Sequence, residues 1–196
     1  MNCVDWGRQT KAALLLSLLV LGGCASSGGG GTAAPASPQQ QLHNQAVAAV
    51  QADDRDSAAA LFTQLAESYP RYATPWLNLA LLAHARGDYS ACSDYLQQAL
   101  QRDATLAPAW NLQGVLAREA NDIDAAQQAY ETALANDGEY APAWLNLGIL
   151  LEIWRGEWSA ALTAYQNYLQ YTPEPEADPR VRGWIADLQR RMDQGA

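Results

Sequence analysis

Few side chains in these 196 residues are of a type and spacing that does chemistry. His43 and His84 each stand alone, with no second histidine or cysteine at ligand spacing, so no metal site is expected. Carboxylates occur in pairs, as Asp53-Asp54 and as Asp122 with Asp124. Such pairs suit general acid and base work, but these fall in turns, where a carboxylate favours the N-terminus of the next helix. The run Gly28 to Gly31 is followed by no Lys-Ser/Thr and preceded by no strand, which makes it a linker rather than a phosphate loop. Nothing has the ligand density of a calcium loop. The chain therefore reads as a non-enzyme, with no catalytic residue, no metal, no cofactor and no small-molecule substrate.

The elements around these residues follow a strict period. Trp76, Trp110 and Trp144 stand 34 residues apart, each followed four residues later by a small residue, Ala80, Gly114 or Gly148. Small residues recur at Ala58, Cys92, Ala126 and Ala161, with bulky ones four later at Phe62, Leu96, Tyr130 and Tyr165. A fixed period of this size is the mark of stacked helical hairpins. Within a unit the apolar residues keep helical spacing, as in Trp76, Leu79, Ala80 and Ala83, then Tyr89, Cys92, Leu96 and Ala99. Asp53-Asp54, Gly87-Asp88, Asn121-Asp122 and Gly156-Glu157 separate the helices, since such residues end one helix and start the next. The expected fold is all-α: an α-solenoid of four hairpins, at 39–72, 73–106, 107–140 and 141–173, plus a C-terminal capping helix at 178–192. The cap is read from the stripe Val181, Trp184, Ile185, Leu188 and Met192. The fourth unit carries one extra residue around Trp154. Cys92 fills a small-residue slot, so packing rather than thiol chemistry is its expected role.

At these residues the chain resembles the tetratricopeptide repeat family over about two thirds of its length. The first unit departs most, with Leu42 in the tryptophan position, as terminal repeats commonly do. The resemblance implies protein or peptide binding on the inward face of each first helix. Those positions correspond to Leu77, Asn78, Leu81 and His84; to Asn111, Val115 and Arg118; and to Leu145, Asn146, Ile149 and Glu152. An apolar strip edged by amides suits an extended or helical peptide. Family members that clamp a C-terminal carboxylate use lysines there, whereas Leu77 and Leu145 stand in such places, so binding of chaperone tails is not expected.

The N-terminal residues 1–23 read as a signal peptide: Arg8 and Lys11 precede the apolar run Ala12 to Leu21, which is too short for a span of roughly 20 residues. Leu21-Gly22-Gly23-Cys24 resembles the lipobox of bacterial lipoproteins, which implies cleavage before Cys24 and lipidation (palmitate) of that residue. Ala25 and Ser26 in place of an aspartate imply sorting to the outer membrane of a Gram-negative bacterium, facing the periplasm. Residues 24–38, rich in Gly, Ser and Pro, form a flexible tether reaching about 20 Å by the square-root law. The net charge of −9 becomes one unit more negative once Asp5, Arg8 and Lys11 are removed, and no lysine remains. A chain so acidic is a poor ligand for nucleic acid. The sequence thus points to a lipid-anchored periplasmic adaptor or scaffold in an envelope complex, its protein partner unnamed. The alternative is a pilotin-like or outer-membrane assembly lipoprotein that delivers a pore or pilus subunit.

Overall fold

The computed structural model describes residues 36–174 and 176–195; the expected signal peptide and residues 24–35 of the tether lie outside them. Every regular element among the described residues is helical. Contacts divide the chain into two compact units, one ending at Gln98 and the other beginning at Ala99.

The first unit holds α1 (Pro38–Gln51), α2 (Arg55–Ser68), α3 (Ala73–Arg86) and most of α4 (Tyr89–Arg102). Its helix ends follow from local chemistry. Ser37 caps α1 by accepting from the Gln40 N–H at 3.2 Å, with Pro38 in the first turn, where a missing N–H costs nothing. Asp54 caps α2 by accepting from Ser57, and Asp88 caps α4 by accepting from Ala91, each at 3.1 Å. Asp53 and Gly87, which precede those caps, take left-handed backbone at φ 55° and 78°. The apolar faces close on one core of Ala46, Ala58, Phe62, Leu65, Leu79 and Leu82, flanked by Trp76 and Tyr95 with ring centroids 6.1 Å apart. Cys92 has no exposed surface and fills its small-residue slot in the packed interior.

The second unit holds α5 (Ala107–Glu119), α6 (Ile123–Asn136), α7 (Ala141–Leu150), α8 (Trp158–Tyr171) and α9 (Pro179–Gly195). Each packs on the next, apart from a π-helical turn, Leu151–Arg155, that continues α7 toward α8. The same turn chemistry recurs: Asn121 and Gly156 are left-handed at φ 62° and 67°, and Asp122 caps α6 by accepting from Ala125 at 3.1 Å. Trp110 and Trp144 are half-buried, and each indole N–H donates at 2.8 Å to the carbonyl six residues earlier, Ala104 or Gly138. The repeated tryptophan therefore locks the turn that leads into its own helix.

Glycine sets the spacing within these pairs. A Cβ on Gly114 would meet the Tyr130 ring at 2.4 Å, and one on Gly148 would meet the Tyr165 ring at 2.7 Å. Both tyrosines are almost completely buried and have nowhere to move. Where the second helix carries Leu96 instead, the matching first-helix residue is Ala80.

The C-terminal helix α9 packs on α8 with Val181 and Leu188 fully buried and Trp184 against Tyr165 at 5.6 Å between centroids. Tyr168 stands where earlier units carry Ala99 and Ala133, and its hydroxyl accepts from the Asp178 N–H at 2.8 Å, anchoring the start of α9. The amphipathic C-terminal stripe covers a neighbouring helix in the manner of a cap.

Two glycine substitutions separate backbone strain from crowding. At Gly87 no atom lies within 4 Å of an added Cβ. Gly87→Ala then costs about 1 kcal/mol, from the left-handed backbone alone. Gly114→Ala loses about 1–3 kcal/mol to overpacking, outweighing alanine's better helix propensity. Tyr130→Leu in the Gly114→Ala background restores part of the loss. Urea unfolding of the three variants and the wild type measures each value.

Candidate functional site

The expected inward residues fall into two groups once their exposure is known. On α3, Leu77, Asn78 and His84 are buried, with His84 edge-on to Tyr89 at 5.8 Å; Leu81 keeps partial exposure. On α5, Asn111 and Val115 are buried and Arg118 is half-buried. On α7 and the following turn, Leu145, Asn146, Ile149 and Glu152 are all partly accessible. Leu77, Asn78, His84, Asn111 and Val115 therefore have almost no surface of their own to offer a partner. Helices in a stacked array turn two flanks toward neighbours, and the strip left open is narrower than the apolar stripe seen in sequence.

The polar members are tied into the fold. Asn146 Nδ2 donates to Asn111 Oδ1 at 2.9 Å, which links α7 to α5. Glu152 accepts from the Tyr165 hydroxyl at 2.9 Å and also pairs with Arg191 of α9. Burial, and then the Glu152 charge, push the Tyr165 hydroxyl far above the ordinary tyrosine range, so it remains a donor at every working pH. Tyr130 is raised by burial too, opposed by the Arg118 guanidinium, whose Nε lies 3.4 Å from its hydroxyl. In the first unit, burial lowers His43, which lies edge-on to Phe62 at 6.3 Å.

The accessible surface includes residues outside the expected set. Ile153 is 52% exposed, Trp154 40% and Trp158 37%. The Arg118 guanidinium stands 5.7 Å from the centre of the Trp154 ring, and Arg191 stands 5.1 Å from that of Trp158. The sign of this patch in the sequence is the single extra residue of the fourth unit, because the step between repeats gives its position but no reason for it. Among the described residues, no three His, Cys, Asp or Glu side chains are grouped to hold a metal ion. No described helix is long and apolar enough to cross a membrane.

A family model for the tetratricopeptide repeat matches residues 43–108 and 111–179. The chain belongs to the tetratricopeptide repeat family. Solved structures agree on the all-α solenoid fold. PilF of Pseudomonas aeruginosa is 18% identical with a TM-score of 0.68, over 80% of this chain and 69% of that one. TTC0263 of Thermus thermophilus is 19% identical with a TM-score of 0.63, over 77% and 81%. The first repeat domain of Spaghetti (RPAP3), solved with the HSP90 peptide SRMEEVD, is 12% identical with a TM-score of 0.56, over 63% and 97%. At these identities the likeness concerns the fold alone. No curated protein matches the sequence.

Glu152 is the polar pivot between the fourth repeat and the C-terminal helix, with its side chain 18% exposed and that of Arg191 35% exposed. Glu152→Gln keeps a partner for Tyr165 but removes the charge, leaving Arg191 with Asp187 on its own helix. The expected loss is about 1–3 kcal/mol, below the value for a fully buried pair. Amide hydrogen exchange in α9 should quicken before that of α5 and α6.

Proposed function

We propose that this protein is a lipid-anchored adaptor on the periplasmic side of the outer membrane, which binds partner proteins or peptides through the inward faces of its first helices. The observation that carries the binding part is the strip left accessible on α7, where Leu145 and Ile149 flank Asn146. Apolar anchors on an accessible helix face suit a peptide whose apolar side chains enter the strip, while Asn146 stays bonded to Asn111. Membership of the tetratricopeptide repeat family supports a protein or peptide as the ligand, and the peptide held by the Spaghetti domain illustrates that use of the fold. Delivery of a pore or pilus subunit is the narrower form of the same reading, and the identity of the recovered partner distinguishes the two.

The anchor rests on Leu21-Gly22-Gly23-Cys24 and on the Gly/Ser/Pro-rich stretch after it. Cells expressing Cys24→Ser should shift the protein from the membrane fraction to the soluble fraction and lose radiolabelled palmitate from it. Retention of label in that variant would remove the lipid from the proposal.

For the binding surface, Leu81→Glu and Ile149→Glu each place a charge on a half-buried first-helix residue. Pull-down from solubilised envelopes should recover a specific partner with the wild type and at least about tenfold less with the double variant, the loss expected when a binding anchor is removed. Unchanged recovery sinks the first-helix surface as the binding site.

A further inference from the structure

Aligning the last turns of the first helices shows what the extra residue does. Ala85-Arg86-Gly87-Asp88 in the second repeat corresponds to Ile153-Trp154-Arg155-Gly156-Glu157 in the fourth, with Ile153-Trp154 in place of one alanine. The tie made by the arginine is preserved: Arg86 pairs with Asp56 at 2.6 Å, and Arg155 pairs with Asp124 while its Nε donates to Gln127 at 3.0 Å. The added residue is therefore taken up before Arg155, as the π-helical turn Leu151–Arg155. Such turns are uncommon and occur often at functional sites.

The turn leaves Ile153 and Trp154 exposed, although burying either side chain would be worth about 1.5–3 kcal/mol. Beside them stands Arg118, placed over the Trp154 ring and bonded to the Tyr130 hydroxyl. Among the described residues no carboxylate pairs with Arg118, whereas Arg155, Arg180, Arg182, Arg190 and Arg191 each have one. An arginine without an acid, in a chain of net charge −9, is an electrostatic vacancy next to an apolar step. Gly156 and the Arg155 ties hold the turn in place, so little ordering is needed on binding.

We propose that Ile153, Trp154 and Arg118 form a docking site for a peptide segment of the partner that carries a carboxylate side chain next to an apolar one. The carboxylate pairs with Arg118 and the apolar side chain lies on Trp154 and Ile153. The site rests on the adaptor reading and adds a second point of contact at the end of the first helices, sharing only Arg118 with the expected inward positions. Local charge selects the occupant. Glu119, Asp122 and Asp124 lie close in sequence to Arg118, and Glu157 to Trp154, so a broad anionic surface such as a bilayer is repelled while a single narrow carboxylate can enter.

The test uses the full chain in detergent and an array of fluorescent nonapeptides in which Leu, Ile or Phe is flanked by Asp or Glu, alongside copies with Asn or Gln. Acidic members should bind at least about tenfold more tightly than their amide copies, more weakly as salt rises, and Trp154→Ala and Arg118→Gln should each remove roughly tenfold in affinity. Ile153→Ser, at the most exposed of the three positions, should weaken binding with unchanged circular dichroism and melting temperature, which separates loss of the site from loss of the fold. No preference for acidic over amide peptides overturns the proposal. Tight binding that ignores all three substitutions also overturns it, while leaving the adaptor reading in place. Sedimentation of the Cys24→Ser protein with phosphatidylglycerol vesicles, abolished by Trp154→Ala, would assign the patch to a membrane instead and overturn it as well.

Discussion

The second unit is built on the approach of a first-helix backbone to an aromatic ring: Gly114 against Tyr130 and Gly148 against Tyr165. Each ring lies where a Cβ would otherwise stand, and both rings are almost wholly buried. Their hydroxyls then reach the end of the first helix, where Tyr130 meets Arg118 and Tyr165 donates to Glu152. A single steric allowance thus sets helix spacing and also places a polar group at the site rim. The second repeat meets the same constraint with smaller partners, Ala80 and Leu96, and needs no glycine there.

Turns carry the other half of the architecture. At Asp53, Gly87, Asn121 and Gly156 the chain takes left-handed backbone, and the next residue opens the following helix. The pattern is regular because a hairpin of two helices needs one residue that reverses the path and one that satisfies the new N–H groups. Three of the four starting residues are aspartates that accept a backbone N–H. Glu157 makes no such side-chain bond, and the turn before it is the π-helical one. Of the paired turn carboxylates, Asp54 and Asp122 are caps, while Asp53 pairs with Arg55 and Asp124 with Arg155; Asp54 is held below the ordinary range chiefly by its bond to Ser57.

The expected surface and the accessible surface overlap only in part, for a geometric reason. Family resemblance assigns inward positions by register, and register cannot say how much of a side chain a neighbouring helix covers. Asn111 and Asn146 look like ligands for a peptide backbone in the sequence, yet they bond to each other across α5 and α7. Glu152 looks like a charged rim residue and instead joins Tyr165 to the C-terminal helix. Conversely, Trp154 lies outside the regular 34-residue tryptophan series, and its exposure follows from a turn that periodicity alone does not describe.

From the sequence alone came the helical class, the hairpin repeat, the turn pairs and the amphipathic C-terminal stripe, because these depend on local propensity and on a period that one chain displays in full. The lipid anchor expected at Cys24 is likewise a matter of local motif. Tertiary structure decided which inward residues retain surface, how Tyr165, Glu152 and Arg191 bind the cap, and that one inserted residue becomes a π-helical turn bearing Ile153 and Trp154. Those outcomes depend on which groups distant in sequence meet across packed helices, and burial and pairing exist only once the helices are in contact.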